Sequence, residues 1–410
     1  MKKNRLLGGI LLISGTTIGA GMLALPISTG IVGFFPALLI FFLCFLVMYW
    51  AGCLFLEVTL SFEGEVNLIS MAQKTLGSAG QGFVWLGFLL LLYSLLAAYL
   101  AGSGPYFASL YQDMFGEPMA SWAKPFPIVI LFGPFLYVGI RSVDMVNRYL
   151  MIGLVLSYAL MVALLTPEVD VSRLAHVDMS FAFFSIAVVI TSFGYQIIIP
   201  SLSNYLDRDV SAVKKAMFFG SIIPLVVYVI WEFLVLGNIP VHGETSLAAL
   251  ADPTIELALD KVLASHVEST VIGYGMRTFA LLAIITSFLG IAQSLFDFLR
   301  DGFKVPNTTS GRLTVWVITF VPPFLFVLLS EKGFETILEY AGAIVAMITG
   351  IVPILMVWSL RYVKKTPSIY RASGGKPALV AGLLVFVGLI VLVLLKNMQI
   401  MNLDLSVYTG

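Results

Sequence analysis

The chain has 410 residues, of which 59% are apolar and 11% charged, with a mean hydropathy of +0.99. Soluble domains carry roughly 25% charged residues, so an ordinary soluble protein is excluded. Disorder is excluded as well, because it needs low hydrophobicity and high charge. Lys+Arg and Asp+Glu balance at 23 each, which leaves no basic surface for nucleic acid.

A membrane-spanning helix needs about 20 mainly apolar residues. Eleven stretches qualify: 6–28, 34–60, 82–111, 126–141, 147–166, 181–201, 212–238, 271–298, 312–330, 335–358 and 377–397. They use nearly the whole chain, so the expectation is one all-α integral membrane domain over residues 1–410. Met1–Arg5 and the apolar run after it have the outline of a signal peptide. Ala24-Leu25-Pro26 is a poor cleavage context, however, and Pro26 and the glycines fit a retained helix better. Cys44 and Cys53 share the second stretch, roughly 13 Å apart along a helix axis, too far for a disulfide.

Placing the N-terminus inside puts 17 of the 23 Lys and Arg residues inside, Arg148, Lys214, Arg300, Arg312 and Arg361 among them. The outside keeps Lys124, Arg173, Lys261, Arg277, Lys332 and Lys396. The positive-inside rule then sets the N-terminus in and, with eleven spans, the C-terminus out. The longest loop, about 239–270, falls outside. Asp252 can cap a helix there, with Pro253 in its first turn and Ile255, Leu259, Val262 and Leu263 on one face. Two readings stand: a surface helix that acts as a lid, or a connector packed on the bundle.

Two spans carry breakers at matching depths. The first reads Gly15-Thr16-Thr17-Ile18-Gly19-Ala20-Gly21-Met22-Leu23-Ala24-Leu25-Pro26, and the sixth reads Thr191-Ser192-Phe193-Gly194-Tyr195-Gln196-Ile197-Ile198-Ile199-Pro200. Gly weakens a helix and Pro removes a donor. In lipid a freed backbone group costs several kcal/mol, so such breaks survive where they face protein or a wet cavity. Spans one and six lie an odd number apart and run in opposite directions. That is the pattern of a 5+5 inverted repeat, about 6–166 against 181–358, with discontinuous helices 1 and 6 and one extra helix at about 377–397. Bare N–H groups at a half-helix start attract a carboxylate, and bare carbonyls attract an ammonium group or a cation. One site can thus hold both ends of a zwitterion.

Blander readings stand beside this one. Gly15 and Gly19 form a G-x-x-x-G pair, which by itself signals close helix packing equally well. Gly19–Ala24 fits a loose dinucleotide fingerprint but has no strand before it. Gly374-Gly375-Lys376 resembles the end of a P-loop, but Pro377 stands where Ser or Thr is required. Asn307-Thr308-Thr309 is a glycosylation sequon on an expected inner loop.

As a set, these residues resemble the hydroxy/aromatic amino acid permease family of tyrosine and tryptophan transporters, within the amino acid–polyamine–organocation superfamily. The resemblance rests on the two interrupted segments, with Pro200-Ser201-Leu202, Leu56-Glu57-Val58, Trp231-Glu232, Thr286-Ser287-Phe288-Leu289-Gly290, Phe296-Asp297 and Tyr340-Ala341-Gly342. It implies a secondary active transporter of a bacterial cytoplasmic membrane. The expected activity is import of an aromatic amino acid, tyrosine before tryptophan, by proton symport with alternating access and without a cofactor. A sodium-coupled or broader neutral amino acid transporter of the same fold is the alternative. By motif match, Gly19, Ala20 and Gly21 would hold the carboxylate, with Thr16 and Thr17 lining the same break. Phe193, Gly194, Tyr195 and Gln196 would supply ammonium contacts and part of the side-chain pocket. Similar permeases often carry His where this chain has Gln196, which puts a proton role at that position in doubt. Tyr93 and Tyr99 are candidates for an aromatic wall, on different faces of span three.

Three carboxylates fall within spans: Glu57, Glu232 and Glu339. A mid-membrane charge costs roughly 2.5–3.5 kcal/mol on insertion scales, so each is a candidate coupling group. Thr286 and Ser287 are the candidates for a sodium site, or else they satisfy neighbouring helix backbone. An integral membrane enzyme is the rival of another class. His176, His242 and His266 all fall in outer loops, and no nucleophile–base spacing emerges. A channel would need a repeated filter, and none repeats. Oligomeric state is not legible.

Overall fold

A backbone in lipid has to bond its own amides, and this chain does so with helices throughout. A computed structural model describes residues 2–64, 66–251, 259–306, 308–329 and 334–397. Among them are sixteen α-helices and no strand. In chain order they are α1 Lys2–Thr17, α2 Gly21–Thr29, α3 Phe34–Leu60, α4 Leu68–Phe115, α5 Phe126–Val138 and α6 Ile140–Leu165. Next come α7 Ala182–Ser192, α8 Ile199–Tyr205, α9 Val210–Asn238, α10 Leu247–Ala251 and α11 Leu259–Val267. The last are α12 Thr270–Gly302, α13 Thr309–Leu329, α14 Phe334–Val345, α15 Val352–Trp358 and α16 Gly375–Asn397. Ten helices or helix runs are long and apolar enough to cross a membrane, and the bent pair α1–α2 makes an eleventh. The chain is a multi-pass membrane protein.

The outer surface has the composition that lipid favours. On α3, Phe35, Leu39, Phe42, Leu43 and Leu46 are all exposed and recur at helical spacing. The opposite face of the same helix buries Phe41, Cys44 and Met48, and from Ala51 to Leu60 every residue is buried, Glu57 included. Both cysteines are buried and free. Inside the bundle, α1 and α3 pack on α9, and α2 packs on α7 and α9. A second group forms where α12 packs on α4 and α6, and α13 and α14 pack on α4. Contact between α14 and α7 joins the groups.

Three differences from the expected spans have local causes. The segment 68–76 is a helix rather than a loop. Asn67 accepts from the Ser70 N–H at 2.8 Å and opens α4 with a capping box. The chain then turns at Gly77, whose φ of 79° is a conformation L side chains rarely adopt. The tenth span is not one regular helix: π-helical turns occupy Ala346–Ile351 and Ser359–Val363, on either side of α15. In the long loop, Asp252, Pro253 and Ile255 lie outside the described residues, as does Asn307. The described part of the segment forms α11, which buries Leu259, Val262 and Leu263 and packs on α12. The Arg277 Nε donates to the buried Asp260 at 3.0 Å and its Nη1 to Asp113. This part of the loop is the packed connector of the two readings.

Candidate functional site

The first span stops being helical at Thr17 and resumes at Gly21 with a bend of 55°. Gly19 and Gly21 explain why the chain can turn so close to its neighbours. A Cβ on Gly19 would lie 2.5 Å from Ser287 Oγ, and one on Gly21 would lie 2.8 Å from Ser192 Oγ. In the sixth span, α7 ends at Ser192, and Phe193–Tyr195 lie outside any helix. A 3-10 turn over Gln196–Ile198 leads into α8, where Pro200 stands at the start and costs no hydrogen bond. The Gly21–Ser192 approach sets the two interruptions side by side.

One residue ties them together. Tyr228 of α9 is fully buried, and its hydroxyl lies 2.7 Å from the Thr17 carbonyl and 2.8 Å from the Ser192 carbonyl. These are the last carbonyls of α1 and α7, which helix termini leave without an intrahelical donor. A phenol has one proton to give, so the two oxygens share it. Sequence reading missed Tyr228, because a lone Tyr in an apolar span has no periodic or motif signal. Its ring also packs edge-on against Phe193, at 5.4 Å between centroids. Tyr228→Phe should leave both carbonyls short of a donor, at about 1–3 kcal/mol for each unsatisfied group. The expected outcome is a lower thermal midpoint for the purified protein together with a several-fold loss of uptake.

The groups expected at the first break divide by their partners. The Ala20 N–H donates to Ser287 Oγ at 2.9 Å. Among the described residues, the Gly19 and Gly21 N–H groups make no backbone hydrogen bond, whereas Met22 and Leu23 donate to the Gly19 and Ala20 carbonyls. The Thr16 and Thr17 hydroxyls turn back to Leu12 and Ile13 carbonyls of their own helix, at 2.7 and 2.8 Å. Such back-bonding is the ordinary use of a helical threonine. Thr16 and Gly15 are exposed, and a Cβ on Gly15 would meet nothing within 4 Å.

At the second break most side chains point into packing. Phe193, Tyr195 and Gln196 are buried and only Gly194 keeps partial exposure. Gln196 Nε2 donates to the Met48 carbonyl at 3.0 Å, fastening the break to α3, while its Oε1 is buried with no partner among the described residues. The Tyr195 hydroxyl lies against Gly52, where an added Cβ would stand 3.1 Å away. The two wall candidates also separate. Tyr93 donates to the Ile318 carbonyl of α13 at 2.7 Å, while the buried Tyr99 lies beside Ser287 and therefore beside the first break. Of the paired hydroxyls on α12, Thr286 donates to Leu282 of its own helix at 2.9 Å, and only Ser287 reaches the break.

The three span carboxylates have different surroundings. Glu57 receives both Nε and Nη2 of Arg361 and the Ala372 N–H at 2.8 Å, and Arg361 donates on to the Ala372 carbonyl at 2.7 Å. Glu339 is paired with Lys396 of α16. Among the described residues, Glu232 meets the Thr29 hydroxyl alone. Elsewhere, a cleft of about 690 Å³ opens where the α5–α6 junction meets α12 and α13, lined by Gly139, Arg141, Gln293, Asp297, Arg300 and Arg312.

A family model described as the tryptophan/tyrosine permease family matches residues 2–396. The chain belongs to that family. It is 34% identical to the "Tyrosine-specific transport system 2" of Haemophilus influenzae, over 94% of this chain and 95% of that one. It is 29% identical to the "Tryptophan-specific transport protein" of the same organism, over 91% and 92%. It is also 30% identical to the "Glutamine transporter 2" of Aliivibrio fischeri, over 95% and 98%. The chain is thus an amino acid permease and not an enzyme. Its paired interruptions lie within the matched region.

Proposed function

We propose that this permease imports an aromatic amino acid, tyrosine before tryptophan, across a bacterial inner membrane as a secondary active transporter. The observation that carries this reading is the Tyr228 bridge between the ends of α1 and α7, beside the undonated N–H groups of Gly19 and Gly21. Those N–H groups would take the carboxylate, with partial positive charge from the start of α2 behind them. The carbonyls of Thr17 and Ser192, which share one phenolic proton, would take the ammonium group. Phe193 and Tyr99 stand near enough to bound the side-chain end, and Gly194 is the partly exposed backbone position there. Tyr195 and Gln196 act behind the site, by fixing the break to α3.

On this reading the chain is one transporter domain of two inverted five-span repeats plus α16, with interrupted helices 1 and 6 at the site. Arg5 pairs with Asp207, and Arg208 bonds the carbonyls of Leu60 and Phe62 at the end of α3; the positive-inside rule would set this end in the cytoplasm and the C-terminus outside. Transport proceeds by alternating access, coupled to protons. Sodium coupling is the weaker reading, because Thr286 is spent on its own helix and Ser287 on Ala20.

The likeness to a glutamine transporter favours a second reading, a broader neutral amino acid substrate. A competition panel decides between them. Uptake of labelled tyrosine into proteoliposomes, under separate pH and sodium gradients, should be blocked by excess tyrosine and tryptophan and not by glutamine. The pH gradient alone should drive accumulation. Equal inhibition by glutamine would favour the broader substrate, and no uptake of any aromatic amino acid would end the first reading.

A further inference from the structure

Glu232 of α9 and Thr29, the last residue of α2, are both fully buried and meet side chain to side chain. The Thr29 Oγ1 also lies 2.6 Å from the Leu25 carbonyl. A hydroxyl has one proton. If Thr29 gives it to Leu25, the back-bond usual for a helical threonine, then its contact with Glu232 Oε1 needs a proton from the glutamic acid. The other carboxyl oxygen, Oε2, is buried with no partner among the described residues.

The two remaining span carboxylates sit beside cations: Glu57 beside Arg361, and Glu339 beside Lys396. Among the described residues, no cation pairs with Glu232. The titratable groups that neighbouring elements bring toward α9 are engaged elsewhere. Arg173 bonds the Asn238 carbonyl and pairs with Asp170, and Tyr158 donates to the Val227 carbonyl. Asp260 of α11 pairs with Arg277. His176 contacts the Ile31 carbonyl and packs edge-on against His242. Tyr228 on α9 itself is held by the two break carbonyls. An ionised Glu232 would be a buried, unpaired charge, which the interior does not tolerate.

We propose that Glu232 is the proton-carrying group of this permease, and that its contact with Thr29 is a clasp that holds α2 against α9 only while the carboxyl is protonated. This rests on the proton-coupled reading above. In the closed clasp, the carboxyl O–H donates to Thr29. When the clasp opens and water enters, the proton passes to water and a hydrated carboxylate remains. One hydroxyl cannot solvate a carboxylate in the dry interior, so the ionised Glu232 stays with water and α2 is released. Because α2 starts at Gly21, its release moves one wall of the substrate site, and this links the proton to the amino acid. The coupling does not need an ionisable group at Gln196.

Glu232→Gln keeps a donor toward Thr29 and cannot exchange a proton. In proteoliposomes, E232Q should lose pH-driven accumulation, falling to the level seen without a gradient, yet retain exchange of labelled for unlabelled tyrosine. Accumulation by E232Q equal to wild type would overturn the proposal. An infrared arm stands apart from transport. At neutral pH, purified wild type should show the C=O stretch of a buried protonated carboxyl, and E232Q should lack it. No such band in wild type, or the same band in both, would also overturn it. Failure of wild type to carry any aromatic amino acid would count against the substrate reading instead, with the infrared arm still deciding Glu232.

Discussion

Gly21→Val is expected to abolish uptake while leaving the protein expressed and inserted. A Cβ at Gly21 would stand 2.8 Å from Ser192 Oγ and 3.5 Å from its Cβ, so the larger side chain has to push α2 away from α7. The Ser192 hydroxyl has little freedom to yield, because it donates to the Val188 carbonyl at 3.0 Å. The same branched side chain would also shade the Gly21 N–H proposed to meet the carboxylate. Most of the bundle packs far from this contact, so folding should survive. Labelled tyrosine uptake, normalised to membrane content, checks it: less than a tenth of wild-type activity at near-normal protein levels is expected. Uptake near wild type would mean that α2 and α7 are not closely apposed in the working protein.

The largest loss of stability is expected at Arg361. Its side chain is 6% exposed and that of Glu57 is 1% exposed. Truncating one partner of such a buried pair typically costs about 3–5 kcal/mol, because the other charge is left uncompensated. Arg361→Ala should therefore lower the thermal midpoint sharply and reduce the membrane yield. Glu57→Leu with Arg361→Met should recover much of this, since no charge is then stranded. The recovery should be incomplete, because the Ala372 N–H loses its acceptor. Thermal unfolding in detergent, followed by the loss of monodisperse protein, distinguishes the three forms.

The Glu57–Arg361 pair also shows where sequence reading stops. Glu57 stands out as a carboxylate within a span and draws a coupling role on its own. Its partner lies 304 residues later, on a π-helical turn that no hydrophobic period announces. The spans themselves were legible, because about 20 apolar residues between polar ends admit little else in lipid. The interruptions were legible through Gly19, Gly21, Gly194 and Pro200, residues that a continuous span has little use for. Which side chains reach those interruptions was not. Tyr93 and Tyr99 look alike in sequence, and only the packing of α4 against α12 and α13 sends Tyr99 toward Ser287 and Tyr93 toward Ile318. Thr286 and Ser287 are adjacent, but a helix turns neighbours to different faces, so one back-bonds and one reaches Ala20. The Gly77 turn went unread, because a glycine beside an expected loop carries no special weight until φ is known.

The central claim is that the main chain at the two interruptions holds both charged ends of one small molecule. The most direct measurement is displacement of labelled tyrosine from the purified permease by two analogues, tyramine, which lacks the carboxylate, and 3-(4-hydroxyphenyl)propionate, which lacks the amine. Losing a hydrogen-bonded charged group from a built site costs well over a factor of ten in affinity, so neither analogue should compete at concentrations where unlabelled tyrosine does. Displacement by either one at tyrosine-like concentrations would contradict the claim, because the site would then be reading the ring and only one end.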